Sequence, residues 1–234
     1  MPRIFCTIKE AKMKQVKTIY KNIDMGRVIA VTIFTLLTWL NLVGFHKKMN
    51  FLFPLDTVKT LGLIHHLLII CFYVSVILLY FLRDSASITT GSFGAKIIAI
   101  LTTCLPFTLP ILNSSTLEDP GILFTANFIM ILGMSFSIYA LITLGRNFSI
   151  IPQVRRLVQS GPYKIIRHPL YASEIISTFG ILMVRPSILT TAVFFLIILG
   201  QIYRAFQEEI LLNSIFPEYE NYRIKTARFI PYIF

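Results

Sequence analysis

SGPYKIIRHPLY, residues 160–171, is the stretch that the rest of the chain is arranged around. Glycine tolerates backbone angles that other residues avoid, and proline fixes φ and has no N–H to donate, so Ser160-Gly161-Pro162 stops any helix that reaches it. Pro169 suits the first turn of a new helix, which puts Arg167 and His168 at its N-terminus beside unpaired N–H groups that favour anions. The chain is then mostly apolar over 170–184, turns at Arg185-Pro186, and returns as a helix over 188–204 to the pair Glu208-Glu209. A hairpin of this shape carries the acidic pair back to the Arg167-His168 end.

Upstream, 55% hydrophobic residues among 234 and a mean hydropathy of +0.72 exceed what an ordinary soluble domain shows. Apolar runs at 28–45, 63–82, 93–112 and 122–144 each approach the roughly 20 residues that cross a bilayer as a helix. Pro106 and Pro110 predict a kink in the third. Gly133 and Ser137 in the fourth have the small-xxx-small spacing that lets helices approach closely. The predicted fold is all-α, a polytopic membrane helix bundle of about six segments. Its last two form a short helical hairpin whose first arm is short for a full crossing, followed by a C-terminal tail. The chain divides into a basic arm (1–27), four transmembrane helices (28–144), and a region (145–234) holding the polar loop, hairpin and tail.

The net charge of +11 sits in the connections between apolar runs, which argues for topology and against a nucleic-acid partner. With six spans, 18 of the 22 lysines and arginines fall on one side, and only Lys47, Lys48, Lys59 and Arg185 on the other. The positive-inside rule then puts both termini, the 146–167 loop and the tail in the cytosol. The first apolar run is long for a signal peptide and lacks a small-residue cleavage site, so it reads as a retained span. Cys6, Cys71 and Cys104 have no redox or metal spacing, and free thiols are expected. His65 and His66 face different sides of a helix with no acidic or Cys partner at ligand spacing, so no metal is expected.

The motifs Gly161-Pro162-Tyr163, Arg167-His168-Pro169-Leu170-Tyr171, Glu208-Glu209, and the tail from Phe216-Pro217-Glu218-Tyr219 through Tyr222 to Arg228-Phe229-Ile230-Pro231 resemble the isoprenylcysteine carboxyl methyltransferases and the related phospholipid N-methyltransferases. Leu144-Gly145-Arg146-Asn147-Phe148-Ser149 is similar to that family's entry into its cofactor loop, with Phe148 where many members have tryptophan. The resemblance covers about the last 90 residues. It implies an integral membrane enzyme that binds S-adenosylmethionine near the cytosolic face and methylates a lipophilic acceptor, first of all an isoprenylcysteine-type carboxylate. A phospholipid or small thiol as acceptor, a sterol-reductase-like oxidoreductase using a nicotinamide cofactor, and a scaffold without turnover are the alternatives.

Under that resemblance the candidate cofactor-binding residues are Gly161, Tyr163, Arg167, His168, Pro169, Tyr171, Glu208, Glu209 and Tyr222, and the candidate catalytic residues are Arg204 and Glu208. Arg167 and His168 suit a carboxylate, a glutamate suits an ammonium or a ribose diol, and Tyr163 or Tyr171 suits an adenine or a sulfonium. Neighbouring residues on a helix point about 100° apart, so one of Glu208 and Glu209 should meet the cofactor while the other holds the structure. A blander reading leaves both solvated at the helix end, with Arg204 pairing to Glu208 one turn away. Where many family members have a small residue and then glycine after the tyrosine, this chain has Ala172-Ser173-Glu174. Ser173 preserves close helix packing, and Glu174 at the membrane entrance would alter which acceptor is admitted.

Overall fold

The structure is a computed structural model that describes residues 25–50, 56–83, 88–89, 93–112, 116–151 and 153–231. The expected basic arm lies outside the described residues except for its last three. Among the described residues four helices are long and apolar enough to cross a membrane, and two shorter apolar helices join them in the bundle. The chain is a multi-pass membrane protein.

Helix α1 (Met25–Asn50) and helix α2 (Thr57–Leu82) pack side by side, with Phe34 against Tyr73 at a ring separation of 5.6 Å. Asp56 caps α2 by accepting from Lys59 N–H at 2.7 Å, which satisfies one of the helix's orphan donors. The third expected span is not one helix. Helix α3 (Phe93–Cys104) gives way to a 3-10 turn at Leu105–Phe107 and a single turn α4 (Leu109–Leu112). Pro106 supplies no N–H inside that turn, so a break replaces the expected kink.

Helix α5 (Pro120–Leu144) starts at an Asp119 cap with proline in its first turn, and packs most extensively on α6 (Pro169–Val184). The small residues decide this contact. A Cβ on Gly133 would lie 2.5 Å from Ser177 Oγ, and one on Gly180 would lie 2.9 Å from the Ala126 carbonyl oxygen. The buried Ser137 and Ser173 hydroxyls meet at 2.7 Å. Helix α7 (Ile188–Ile215) begins at a capping box on Ser187 and runs 28 residues. The hairpin is therefore asymmetric, a short α6 followed by a long α7, and the pair Glu208-Glu209 sits inside α7 with nearly two turns beyond it. Nothing between Ile188 and Ile215 breaks the helix, because Gly200 is tolerated where Thr102 packs against it.

A short α8 (Tyr219–Lys225) turns the tail back on the loop. Ile166 pairs with Ala227 in a parallel bridge, Arg167 N–H donates to Ala227 O at 2.8 Å, and His168 N–H donates to Arg228 O at 3.1 Å. The loop also pairs with the α2–α3 connection, through strands β1 (Ile88–Thr89) and β2 (Gln153–Val154). Cys71 and Cys104 are free thiols.

Candidate functional site

A 3-10 turn at Gly161–Lys164 opens the SGPYKIIRHPLY stretch. Gly161 has φ +54°, a backbone conformation that favours glycine, and a Cβ there would stand a tight 3.1 Å from the Thr143 side chain. This fixes Tyr163 against the bundle, where Tyr222 Oη donates to its carbonyl at 2.7 Å. Burial pushes the Tyr163 phenol well above its ordinary range, and the Glu208 charge adds to the shift. His168 becomes the N-cap residue of α6, as the proline spacing implies, and Pro169 fills the first turn.

The two adjacent glutamates have different tasks. Glu209 is buried and saturated: Oε1 accepts from Arg167 Nε at 2.9 Å, from Arg228 Nε at 3.0 Å and lies 3.1 Å from His168 Nε2, while Oε2 accepts from Arg228 Nη2 at 2.8 Å. The Nε2–H tautomer of His168 is the one that satisfies this carboxylate. Arg167 spends its Nη1 on the carbonyls of Arg223 and Thr226. Loop, helix α7 and tail are thus tied at one carboxylate. Glu208 turns the other way, accepts a hydrogen bond from Tyr171 Oη, and stands 3.8 Å from His168 Nδ1. The Tyr171 and His168 rings stack with planes 2° apart at 5.5 Å.

Glu208 opens onto a cleft of about 810 Å³, solvent-connected space included, between the 147–158 loop, α6, α7 and α8. Tyr163, Arg167, His168, Tyr171, Glu208 and Tyr222 of the expected set line it. Gly161, Pro169 and Glu209 do not, and act as turn, helix start and brace. Arg204 does not line it either. It forms no ion pair with Glu208 among the described residues, and instead donates to Gln201 Oε1 at 3.2 Å and to Ile150 O at 3.1 Å while lying over the Tyr171 ring at 4.5 Å. The wall formed by Gln153, Arg155, Arg156, Leu157 and Val158 has no local motif in the sequence, where the two arginines read only as topology charges. Its place is fixed by Ile150 N–H donating to Tyr80 Oη at 3.1 Å, 70 residues away, a contact no sequence pattern announces. Among the described residues no group of three or more metal-ligating side chains gathers.

The fold and site define a class, a membrane helix bundle with one polar cleft built by a short hairpin and a folded-back tail. Residues 125–214 match the model of the isoprenylcysteine carboxyl methyltransferase family. The whole chain is similar in fold to the eukaryotic intramembrane Ras methyltransferase ICMT, with a TM-score of 0.51 and 16% identity over 98% of this chain and 91% of that one. In sequence it is 36% identical over 78 residues to the cobalt-zinc-cadmium resistance protein CzcN of Cupriavidus metallidurans, covering 32% of this chain and 35% of the relative. It is 33% identical over 78 residues to the nickel-cobalt-cadmium resistance protein NccN of Alcaligenes xylosoxydans xylosoxydans, covering 32% and 36%. The match thus spans about a third of the length of these curated relatives.

Proposed function

We propose that the chain is an integral membrane methyltransferase that binds S-adenosylmethionine in the cleft and methylates a lipophilic acceptor reaching it from the bilayer. The observation that carries this reading is the division of labour between the two glutamates, which leaves Glu208 with the stacked His168-Tyr171 pair facing the cleft. S-adenosylmethionine supplies an activated methyl group on a sulfonium, and displacement from sulfur needs no metal, so the protein's task is positioning in a dry site. The donor set fits such a molecule. Glu208 would accept from an ammonium or a ribose diol, Arg155 and Arg156 are cations for a carboxylate, and Tyr163 and Tyr171 offer aromatic faces to an adenine or a sulfonium. Arg167 and Glu209 hold the wall rather than the ligand. The family's name supplies an isoprenylcysteine carboxylate as the first acceptor to test.

Calorimetry on the purified chain in nanodiscs tests the proposal. S-adenosylmethionine is expected to bind without added metal, and Glu208→Gln to weaken it by roughly 10- to 150-fold, the value of one charge-assisted hydrogen bond of about 1.5 to 3 kcal/mol. Binding of a nicotinamide cofactor in place of S-adenosylmethionine would replace this reading with the reductase one.

A further inference from the structure

Three large apolar side chains are uncovered outside the apolar helices, in the loop and the tail. Ile165 is 60% exposed, Ile224 75% and Ile230 54%. They flank one seam, where Ile166 pairs with Ala227 and Ala227 N–H donates to Ile165 O at 3.2 Å. The seam brings Lys164-Ile165 of the loop close to Ile224-Lys225 of α8, so each of these two isoleucines has an exposed lysine as its neighbour. Neither lysine has a carboxylate partner among the described residues, whereas Arg223 is paired with Glu220 at 2.7 Å and the exposed Glu218 stands at the other end of α8. An apolar patch with a charged rim marks a surface that binds something.

Helix α7 sets the depth of this patch. From Ile188 to Glu209 it rises about 32 Å at 1.5 Å per residue, close to the roughly 30 Å of a hydrocarbon core. Leu196, Leu199, Phe206 and Ile210 recur at helical spacing as one exposed, lipid-facing stripe along it. The tail meets that stripe at its polar end, because the Arg228 guanidinium lies over the Phe206 ring at 4.0 Å while bonding Glu209. Loop, tail and patch therefore sit at headgroup depth, continuous with the face that lipid covers.

We propose that the outer face of the folded-back tail is a docking surface for the anionic lipid of the adjoining leaflet, and that lipid seated there holds the cleft wall in place. The chemistry of the face selects this occupant. Isoleucines enter the boundary of the acyl chains, while Lys164 and Lys225 stretch to the phosphates, as amphipathic interfacial segments do. The same tail carries Tyr219 and Tyr222 into the cleft, and Tyr222 is tied to the Tyr163 carbonyl. Lipid that binds the docked tail thus favours the assembled cleft, and a ligand in the cleft favours lipid binding by the same factor. For the identity of that ligand alone, the inference rests on the methyl-transfer reading above.

Two measurements on the full chain in nanodiscs test it. Trp39 is the only tryptophan of the chain, so Trp39→Phe with Ile224→Trp puts one reporter on the patch. In discs with about a third phosphatidylserine, lipid brominated near the headgroup is expected to quench it about twofold or more and to shield it from iodide, with less of both in pure phosphatidylcholine. Raising salt to about 0.5 M, or Lys164→Gln with Lys225→Gln, should undo the difference, each lysine being worth roughly fivefold in the docked population. Calorimetry then reads the link to the cleft. S-adenosylmethionine should bind about threefold or more tighter in the anionic discs, and the double lysine variant should lose that gain. The sign is decisive, since an anionic surface that merely concentrates a cationic ligand would bind it more tightly once the lysines are gone.

A reporter equally open to iodide in both lipids overturns the docking surface. Shielding by a glutamate-rich peptide, where phosphatidylserine gives none, would assign the face to an acidic protein instead. An affinity that ignores the lysines overturns the link to the cleft. If the wild type fails to bind S-adenosylmethionine at all, the methyltransferase reading falls, while the quenching still decides whether the tail docks on lipid.

Discussion

Replacing Glu209 by Gln should release the tail. The carboxylate holds Arg167 at 2.9 Å and Arg228 at 2.8 and 3.0 Å, with all three side chains at or below 12% exposure. Glutamine keeps the volume but loses the charge that the Arg167 and Arg228 guanidinium groups share. Removing one partner of a buried ion pair costs roughly 3 to 5 kcal/mol. Because the pair joins the tail to the hairpin, the cost falls on docking of residues 219–231, and about 3 kcal/mol raises the undocked population roughly 150-fold. Limited trypsin digestion in nanodiscs reads this directly, since Arg223, Lys225 and Arg228 are cleavage sites that docking protects. The variant should be cut in the tail at a rate higher by about that factor, while Glu208→Gln, which loses no ion pair to an arginine, should be cut like the wild type. Equal tail cleavage in Glu209→Gln and wild type would refute the reasoning. A double-mutant cycle with Arg167→Ala adds a check, because two residues in direct contact should be non-additive.

Gly133→Leu should separate α5 from α6, because even a Cβ would lie 2.5 Å from Ser177 Oγ. Overpacking of this kind costs typically 1 to 3 kcal/mol, seen as lost thermal stability in detergent, whereas Leu132→Ala on the exposed face should change little. Tail docking should fail in alkali through Tyr222, whose phenol burial pushes up to about 12 from an ordinary 10.0, Arg167 opposing. Its contribution is complete below pH 10 and is lost as pH rises through 12, since the released tail ionises first. Tryptic cleavage at Lys225 against pH, with Tyr222→Phe flattening the profile, measures it. Tags at the two termini should both be accessible from the cytosolic side, as expected from the distribution of lysine and arginine; a C-terminal tag on the opposite side would refute that topology.

Hydropathy and breakers carried the architecture in the sequence itself. Long apolar runs have one stable backbone solution in lipid, the helix, because every N–H and C=O must be paired within the segment. Gly161-Pro162 and Pro169 act locally, through φ and a missing donor, so the turn before α6 and the placement of His168 at its N-terminus were readable without any neighbour. Small residues at Gly133, Ser137 and Ser173 announced a close helix contact, although not which helices would make it. The break at Cys104 was only half readable, since a proline interrupts the hydrogen-bond ladder but its surroundings determine whether the helix bends or stops.

The site divides in the same way. Sequence placed Arg167, His168, Tyr171, Glu208 and Glu209 at one end of a hairpin, because a helix out and a helix back must return there. It was silent on which glutamate faces the cleft, since that depends on the rotation of α7 about its axis, and the rotation is set by Arg228 arriving from the tail. The 153–158 wall and the Glu174-Gln201-Arg204 link were likewise decided by the tertiary structure alone. Each joins residues between 3 and 70 positions apart through side-chain contacts, and a periodicity of 3.6 or a breaker dipeptide says nothing about which distant atom will accept a given hydrogen bond.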